Sequence, residues 1–111
     1  MRGFIVGAAI VGSLLTAGVA SAQGGYEAAI YDACARYGCD GARLVRVMNC
    51  ESGGDPSAVN PVTGDSGLFQ FNPNTYYANG GTDLWNPWEQ IEVAARMWAN
   101  GQGGEWVCTG L

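Results

Sequence analysis

The sequence predicts a small, mainly helical domain, α+β at most, with an irregular middle that has room for a β-hairpin and with disulfides as staples. Three observations predict it. Apolar residues recur at i, i+3, i+4, i+7 in three separate segments, the mark of one buried helix face. The stretch between the second and third segments is dense in turn-forming pairs. Four cysteines stand in a chain of 111 residues that has no histidine, which suits an oxidising compartment better than a metal site.

The first element is a leader. Met1–Ala22 carries Arg2, an apolar run from Phe4 to Leu15 and the small-residue pattern Ala20-Ser21-Ala22, the parts of a secretory signal peptide. The alternative is an uncleaved anchor, but the run is short for a span of about 20 residues. Either puts residues 23–111 on the same side of the membrane, and secretion is the expectation. Cleavage after Ala22 removes 22 residues and one of the five arginines, taking the net charge from −5 to −6. Such a chain is a poor partner for nucleic acid or anionic lipid, since both need clustered Lys and Arg.

The first predicted helix is Tyr26–Tyr37, with Ile30, Ala33, Cys34 and Tyr37 as its stripe and Gly38 as its stop. The second is Gly41–Ser52, with Asp40 as N-cap and a stripe of Leu44, Val47, Met48 and Glu51. The third is Pro87–Asn100. Asn86 caps it, Pro87 fits its first position, and Glu89 stands where a capping box closes. Its stripe is Ile91, Ala94, Ala95 and Trp98, and Gly101 ends it.

Between them, Gly53–Trp85 holds Asp55-Pro56, Asn60-Pro61, Thr63-Gly64-Asp65, Asn72-Pro73 and Asn79-Gly80-Gly81, all turn formers. Val62 and Leu68-Phe69-Gln70-Phe71 are its strand-like material, and Pro73–Ala78 fits a short helix. Of the three pairings four cysteines allow, Cys34–Cys39 with Cys50–Cys108 is preferred, and the other two stay open at this point. Residues five apart on a continuous helix point about 140° apart, so a Cys34–Cys39 bridge needs a break, which Gly38 offers. In the chain-entropy account the longer loop contributes roughly 4 kcal/mol and the shorter about half that.

The chemistry narrows by exclusion. Without histidine there is no Ser-His or Cys-His nucleophile, without lysine no P-loop, and the cysteine spacing is not a zinc pattern. Glu51 is the most informative residue: a carboxylate on an otherwise apolar stripe, in the last turn of its helix. Burial and the helix dipole both disfavour its charge, and an acid protonated near neutral pH is what proton donation needs. The bland alternative is an exposed last-turn glutamate. Asp65 is the candidate for a second carboxylate, although a plain turn residue after Gly64 explains it more simply. Asp55 reads as a turn initiator before Pro56. Tyr76, Tyr77, Trp85, Trp88, Trp98 and Trp106 exceed what one small core needs, and rings along a groove suit the apolar faces of sugars. Trp98 reads as core, Tyr76 and Tyr77 as exposed.

Cys50-Glu51-Ser52-Gly53-Gly54, then Ser66-Gly67-Leu68-Phe69-Gln70-Phe71, then Thr75-Tyr76 resemble the lysozyme-like superfamily of peptidoglycan-cleaving enzymes. The closing Gln90-Ile91, Ala94-Ala95 and Gly101–Cys108 resemble resuscitation-promoting factors, and Pro56–Asn60 with Thr63-Gly64 resembles soluble lytic transglycosylases. The resemblance spans about Leu44–Cys108. It implies a lysozyme-like fold with a glycan groove, Glu51 as the catalytic acid, and a Cys50–Cys108 bridge. It also implies that Ser66, Gly67, Leu68 and Gln70 line the groove, with Tyr76 where relatives carry Trp. The chain departs from the larger transglycosylases by lacking their Ala-Tyr-Asn motif. Asp65 replaces a small residue and resembles the second carboxylate of animal lysozymes.

The resulting expectation is a secreted, monomeric, cofactor-free and metal-free enzyme acting on peptidoglycan glycan strands. It would cut the β-1,4 bond between N-acetylmuramic acid and N-acetylglucosamine as a lytic transglycosylase. The alternatives are a hydrolytic muramidase using Asp65, and a non-catalytic peptidoglycan-binding or signalling module.

Overall fold

Each of the three apolar stripes leaves water only if the others face it. That is how the helices meet in the computed structural model, which describes residues 22–110. The predicted leader lies outside the described residues except for Ala22, which opens the first helix. This helix, α1, is Ala22–Tyr37, and α2 is Gly41–Ser52. The short α3 is Pro73–Ala78 and α4 is Pro87–Ala99. Two 3₁₀ turns, Gly103–Glu105 and Val107–Gly110, close the described chain. α1 packs against both α4 and α2. Ile30, Ala33, Cys34, Leu44, Val47, Met48, Ile91, Ala94 and Ala95 share one core.

α1 begins at Ala22 rather than Tyr26. Glycines make poor helix interiors, but here Gly25 sits under the Trp88 ring and Tyr26 meets that ring edge-on at 5.0 Å. The tertiary contact outweighs the local preference. At the other end Tyr37, expected in the stripe, stands at the surface and its hydroxyl donates to Glu92 Oε1 at 2.8 Å. Gly38, at φ +94°, turns the chain so that its own N–H and that of Cys39 both donate to the Cys34 carbonyl. That reversal brings the Cα atoms of Cys34 and Cys39 within 4.5 Å, and the two are bridged. The second bridge joins Cys50 to Cys108, so both preferred pairings form.

The caps follow the sequence. Asp40 accepts from the Arg43 N–H at 3.1 Å. Asn72 accepts from Asn74 and Thr75, and Asn86 from Trp88 and Glu89. The reciprocal half of the capping box is missing. Glu89 turns away from Asn86 and accepts instead from Thr82 N–H, Thr82 Oγ1, Asp83 N–H and the Tyr76 hydroxyl, all within 2.7–2.8 Å. Four donors outcompete the single N–H of the box.

The expected hairpin reduces to two antiparallel bridges among the described residues, Val59 to Ser66 and Ser66 to Phe71. Asn60 prevents a longer ladder. Its side chain accepts from Val62 and Thr63 and its carbonyl from Gly64, so the chain coils into a turn. What organises this loop is Gln90, fully buried in the first turn of α4. Its Oε1 accepts from the Leu68 N–H at 2.9 Å, and its Nε2 donates to Leu84 O at 2.7 Å and Pro56 O at 3.3 Å. One amide ties three loop segments to the helical frame. Gly67, at φ +83°, lies against that amide so closely that a Cβ would come within 2.7 Å of it. Neither the conformation nor the space admits a side chain.

Half of the aromatic surplus, Tyr76, Trp98 and Trp106, joins the core. Trp106 stacks on Trp98 at 5.8 Å and meets Phe71 edge-on at 5.6 Å, and Phe71 meets Tyr76 at 4.9 Å. The expectation of an exposed Tyr76 is therefore corrected. α3 turns its ring wholly inward, where the hydroxyl donates to Glu89 Oε1 at 2.7 Å and lies 3.1 Å from Asp83 O. A Cβ on Gly81 would overlap that ring, so the loop closes over it. Tyr77, Trp85 and Trp88 do stay about half exposed.

Candidate active site

Glu51 ends the stripe that Leu44, Val47 and Met48 bury, which explains both its place and its half-burial. The helix stops just beyond it, where Gly53 caps α2 by donating to Asn49 O. The carboxylate does not face bulk water on all sides. The Cys108 N–H donates to Oε2 at 3.3 Å, and the neighbouring Val107 N–H also favours the carboxylate. Burial pushes the Glu51 pKa up. The two backbone N–H groups pull it down, the Asp65 charge adds to the rise, and the balance lies above the ordinary value. Glu51 thus has the character expected of a proton donor.

Asp65 is held by its turn. Its carbonyl accepts from the Asn60 N–H and its N–H donates to Thr63 Oγ1 at 3.2 Å. It is half-buried and close enough for its charge to act on Glu51. It is thus a turn residue and a neighbour of Glu51 at once. Asp55 is a turn initiator only. Ser57 donates to it through both N–H and hydroxyl, which holds its carboxyl below the usual range.

The predicted groove residues lie on the loop that Gln90 ties down. Ser66 Oγ donates to Gly64 O at 2.8 Å. Gly67 N–H donates to Ala58 O, and the Leu68 side chain is buried. Gln70 has φ +52°, the positive-φ non-glycine residue among those described, a conformation that costs about 1 kcal/mol or more. Its Nε2 donates to Ala58 O and Gly67 O, both at 3.1 Å, and these bonds hold the twist. The side-chain bonds of Ser66 and Gln70 therefore shape the loop from inside. Tyr76, as a core residue, offers no surface. Sequence reasoning missed Gln90 and the Val107–Cys108 backbone. A glutamine beside an apolar stripe was a faint signal for the first, and nothing local signalled the second.

A cavity of about 520 Å³ lies elsewhere, between α1 and α4, lined by Ala29, Asp32, Arg36, Trp88, Glu92 and Arg96 among others. Its arginine at 36 is spent on Asp32 and Glu92, and neither Glu51 nor Asp65 reaches it. Among the described residues no group of three or more His, Cys, Asp or Glu gathers as a metal site.

A helix-borne acid of raised pKa within the influence of a second carboxylate suits glycosidase chemistry, and the sequence comparison decides the family. Transglycosylase SLT domain is the family whose pattern matches residues 28–104. The chain belongs to the transglycosylase SLT domain family. The match runs from Ala28 within α1 through α4 into the first 3₁₀ turn, including Glu51, Asp65 and Gln90, and stops short of Val107 and Cys108. The mainly helical, disulfide-stapled architecture is consistent with the lysozyme-like fold of SLT domains. No curated protein and no solved structure matches the chain.

Proposed function

We propose that this SLT domain cleaves the β-1,4 bond between N-acetylmuramic acid and N-acetylglucosamine, acting outside the cytoplasm as a lytic transglycosylase. The observation that carries the reading is the Glu51 carboxyl, half-buried with a raised pKa, in a chain of the SLT family. The two disulfides support an oxidising compartment. Protonated Glu51 gives its proton to the glycosidic oxygen as the C1–O bond breaks and positive charge grows at C1. The carboxylate left behind takes the proton of the muramic C6 hydroxyl, whose oxygen closes on C1. The product is a 1,6-anhydro sugar, water is not consumed, and Glu51 ends deprotonated by one transfer and reprotonated by the next. No metal or organic cofactor enters.

A second reading, hydrolysis, is favoured by one observation: the Asp65 charge reaches Glu51. There a carboxylate would steady the positive C1 and water would add to it. Digestion of purified peptidoglycan, with the soluble products separated by mass, tests both. Anhydro ends support the transglycosylase. Reducing ends replace it by the hydrolase, and no release replaces it by a binding or signalling module.

A further inference from the structure

We propose that the C-terminal strap Trp106–Cys108 is a positioning element for the acid. The Cys108 N–H holds Oε2 of Glu51 and leaves Oε1 to carry the proton, and the Val107 N–H adds to the pull on the carboxylate. The inference rests on Glu51 as the proton donor. The strap is anchored at both ends. Trp106 is buried, with its indole N–H donating to Phe69 O at 2.7 Å. Cys108 is bridged to Cys50, the residue just before Glu51, with the Cα atoms 6.2 Å apart. Between the anchors Val107 is 92% exposed, and the strap meets Glu51 through the Cys108 backbone N–H.

The chemistry follows from the donors. A neutral carboxyl has one oxygen that only accepts and one that carries hydrogen. The Cys108 N–H occupies Oε2, so the proton of neutral Glu51 sits on Oε1, the oxygen free to face a glycosidic oxygen. The Val107 and Cys108 N–H groups favour the carboxylate, against burial and against the charge of Asp65. They steady the group in both forms through which a general acid and then base must pass.

The test uses the full chain. In an NMR pH titration, the amide protons of Val107 and Cys108 should shift through the same midpoint as the Glu51 carboxyl carbon, and should stay still in Glu51→Gln. Amides that ignore that titration in the unaltered protein overturn the proposal. Val107→Pro then removes one donor while keeping the chain path. Trp106 at φ −102°, ψ 142° already has the backbone a residue before proline needs, and Val107 opens a 3₁₀ turn, where proline fits. The Glu51 midpoint should move to higher pH, with the alkaline limb of peptidoglycan cleavage moving alongside it. kcat should drop about three- to tenfold at unchanged KM. Val107→Ala, which keeps the N–H, should restore the original midpoint. A folded Val107→Pro with an unmoved midpoint overturns the proposal, leaving a merely structural strap. If the unaltered protein cleaves nothing, the proposed function fails while the NMR arms still decide the grip.

Discussion

Glu51 and Glu89 are both glutamates within a turn of a helix end, both partly buried, both accepting backbone N–H bonds, yet the structure drives them in opposite directions. Glu51 sits at the C-terminal end of α2, and burial with the Asp65 charge outweighs its two N–H donors, so its pKa rises. Glu89 sits in the first turn of α4. Burial pushes it up too, but Asp83, Thr82 and Tyr76 supply enough donors to bring it down to about 2. The helix dipole adds to the contrast, favouring an anion at the N-terminus and opposing it at the C-terminus. Donor count and helix end separate an acid left reactive from an anion locked into the frame.

The contrast breaks most sharply at Glu51. Glu51→Gln keeps the shape and the strap contact but has no acidic proton, so cleavage should fall by a factor on the order of 10³ or more, about 4 kcal/mol of barrier. Its stability points the other way. A carboxyl with a raised folded pKa is favoured protonated, so the unaltered protein gains stability as pH falls through that pKa. At pH 8 Glu51→Gln should therefore be at least as stable as the parent by urea unfolding. An active Glu51→Gln would erase the difference between the two glutamates.

Gln90→Ala should be the most destabilising loop-frame change, about 3 kcal/mol by the same unfolding measurement. It strands the buried Leu68 N–H and Leu84 carbonyl as well as leaving a hole. A loss under about 1 kcal/mol would mean the loop is held by something other than this amide.

Glu89→Gln should cost about 1–2 kcal/mol at neutral pH, discounted for its partial exposure, with any loss of cleavage following the loss of stability. The folded pKa of about 2 lies below the ordinary 4.5. The carboxylate's contribution is therefore full above about pH 4.5 and vanishes as pH falls through 2. The stability gap between parent and variant should close on acidification, and a gap that persists at pH 2 would show that charge is not its source.

Asp65→Asn should be the mildest. Removing its charge lets the Glu51 pKa fall, so the alkaline limb of activity should move to lower pH. The loss at the optimum should be on the order of tenfold or less, about 1.4 kcal/mol. A loss of several hundredfold would make Asp65 a participant and the enzyme a hydrolase.

The helical frame was written locally. Asp40, Asn72 and Asn86 cap where their side chains can reach the following N–H groups. The 3.6-residue stripes named the buried faces, and Gly38 marked the turn that a Cys34–Cys39 bridge requires. Glu51 stood out for the same reason, as a carboxylate in register with Leu44, Val47 and Met48. Tyr76, Gln90 and the Val107–Cys108 backbone were illegible because their roles depend on partners far along the chain. Tyr76 looked exposed by its loop setting, and only Phe71, Gly81 and Glu89 make it core. Gln90 lies beside the apolar stripe of α4, and only the approach of Leu68, Leu84 and Pro56 gives its amide a role. Periodicity and caps follow from geometry within a few residues, so the sequence carries them. The proton affinity of Glu51 follows from which N–H groups and charges the folded chain gathers around it, and the packing of α2 against the closing strap brings the Cys108 N–H there.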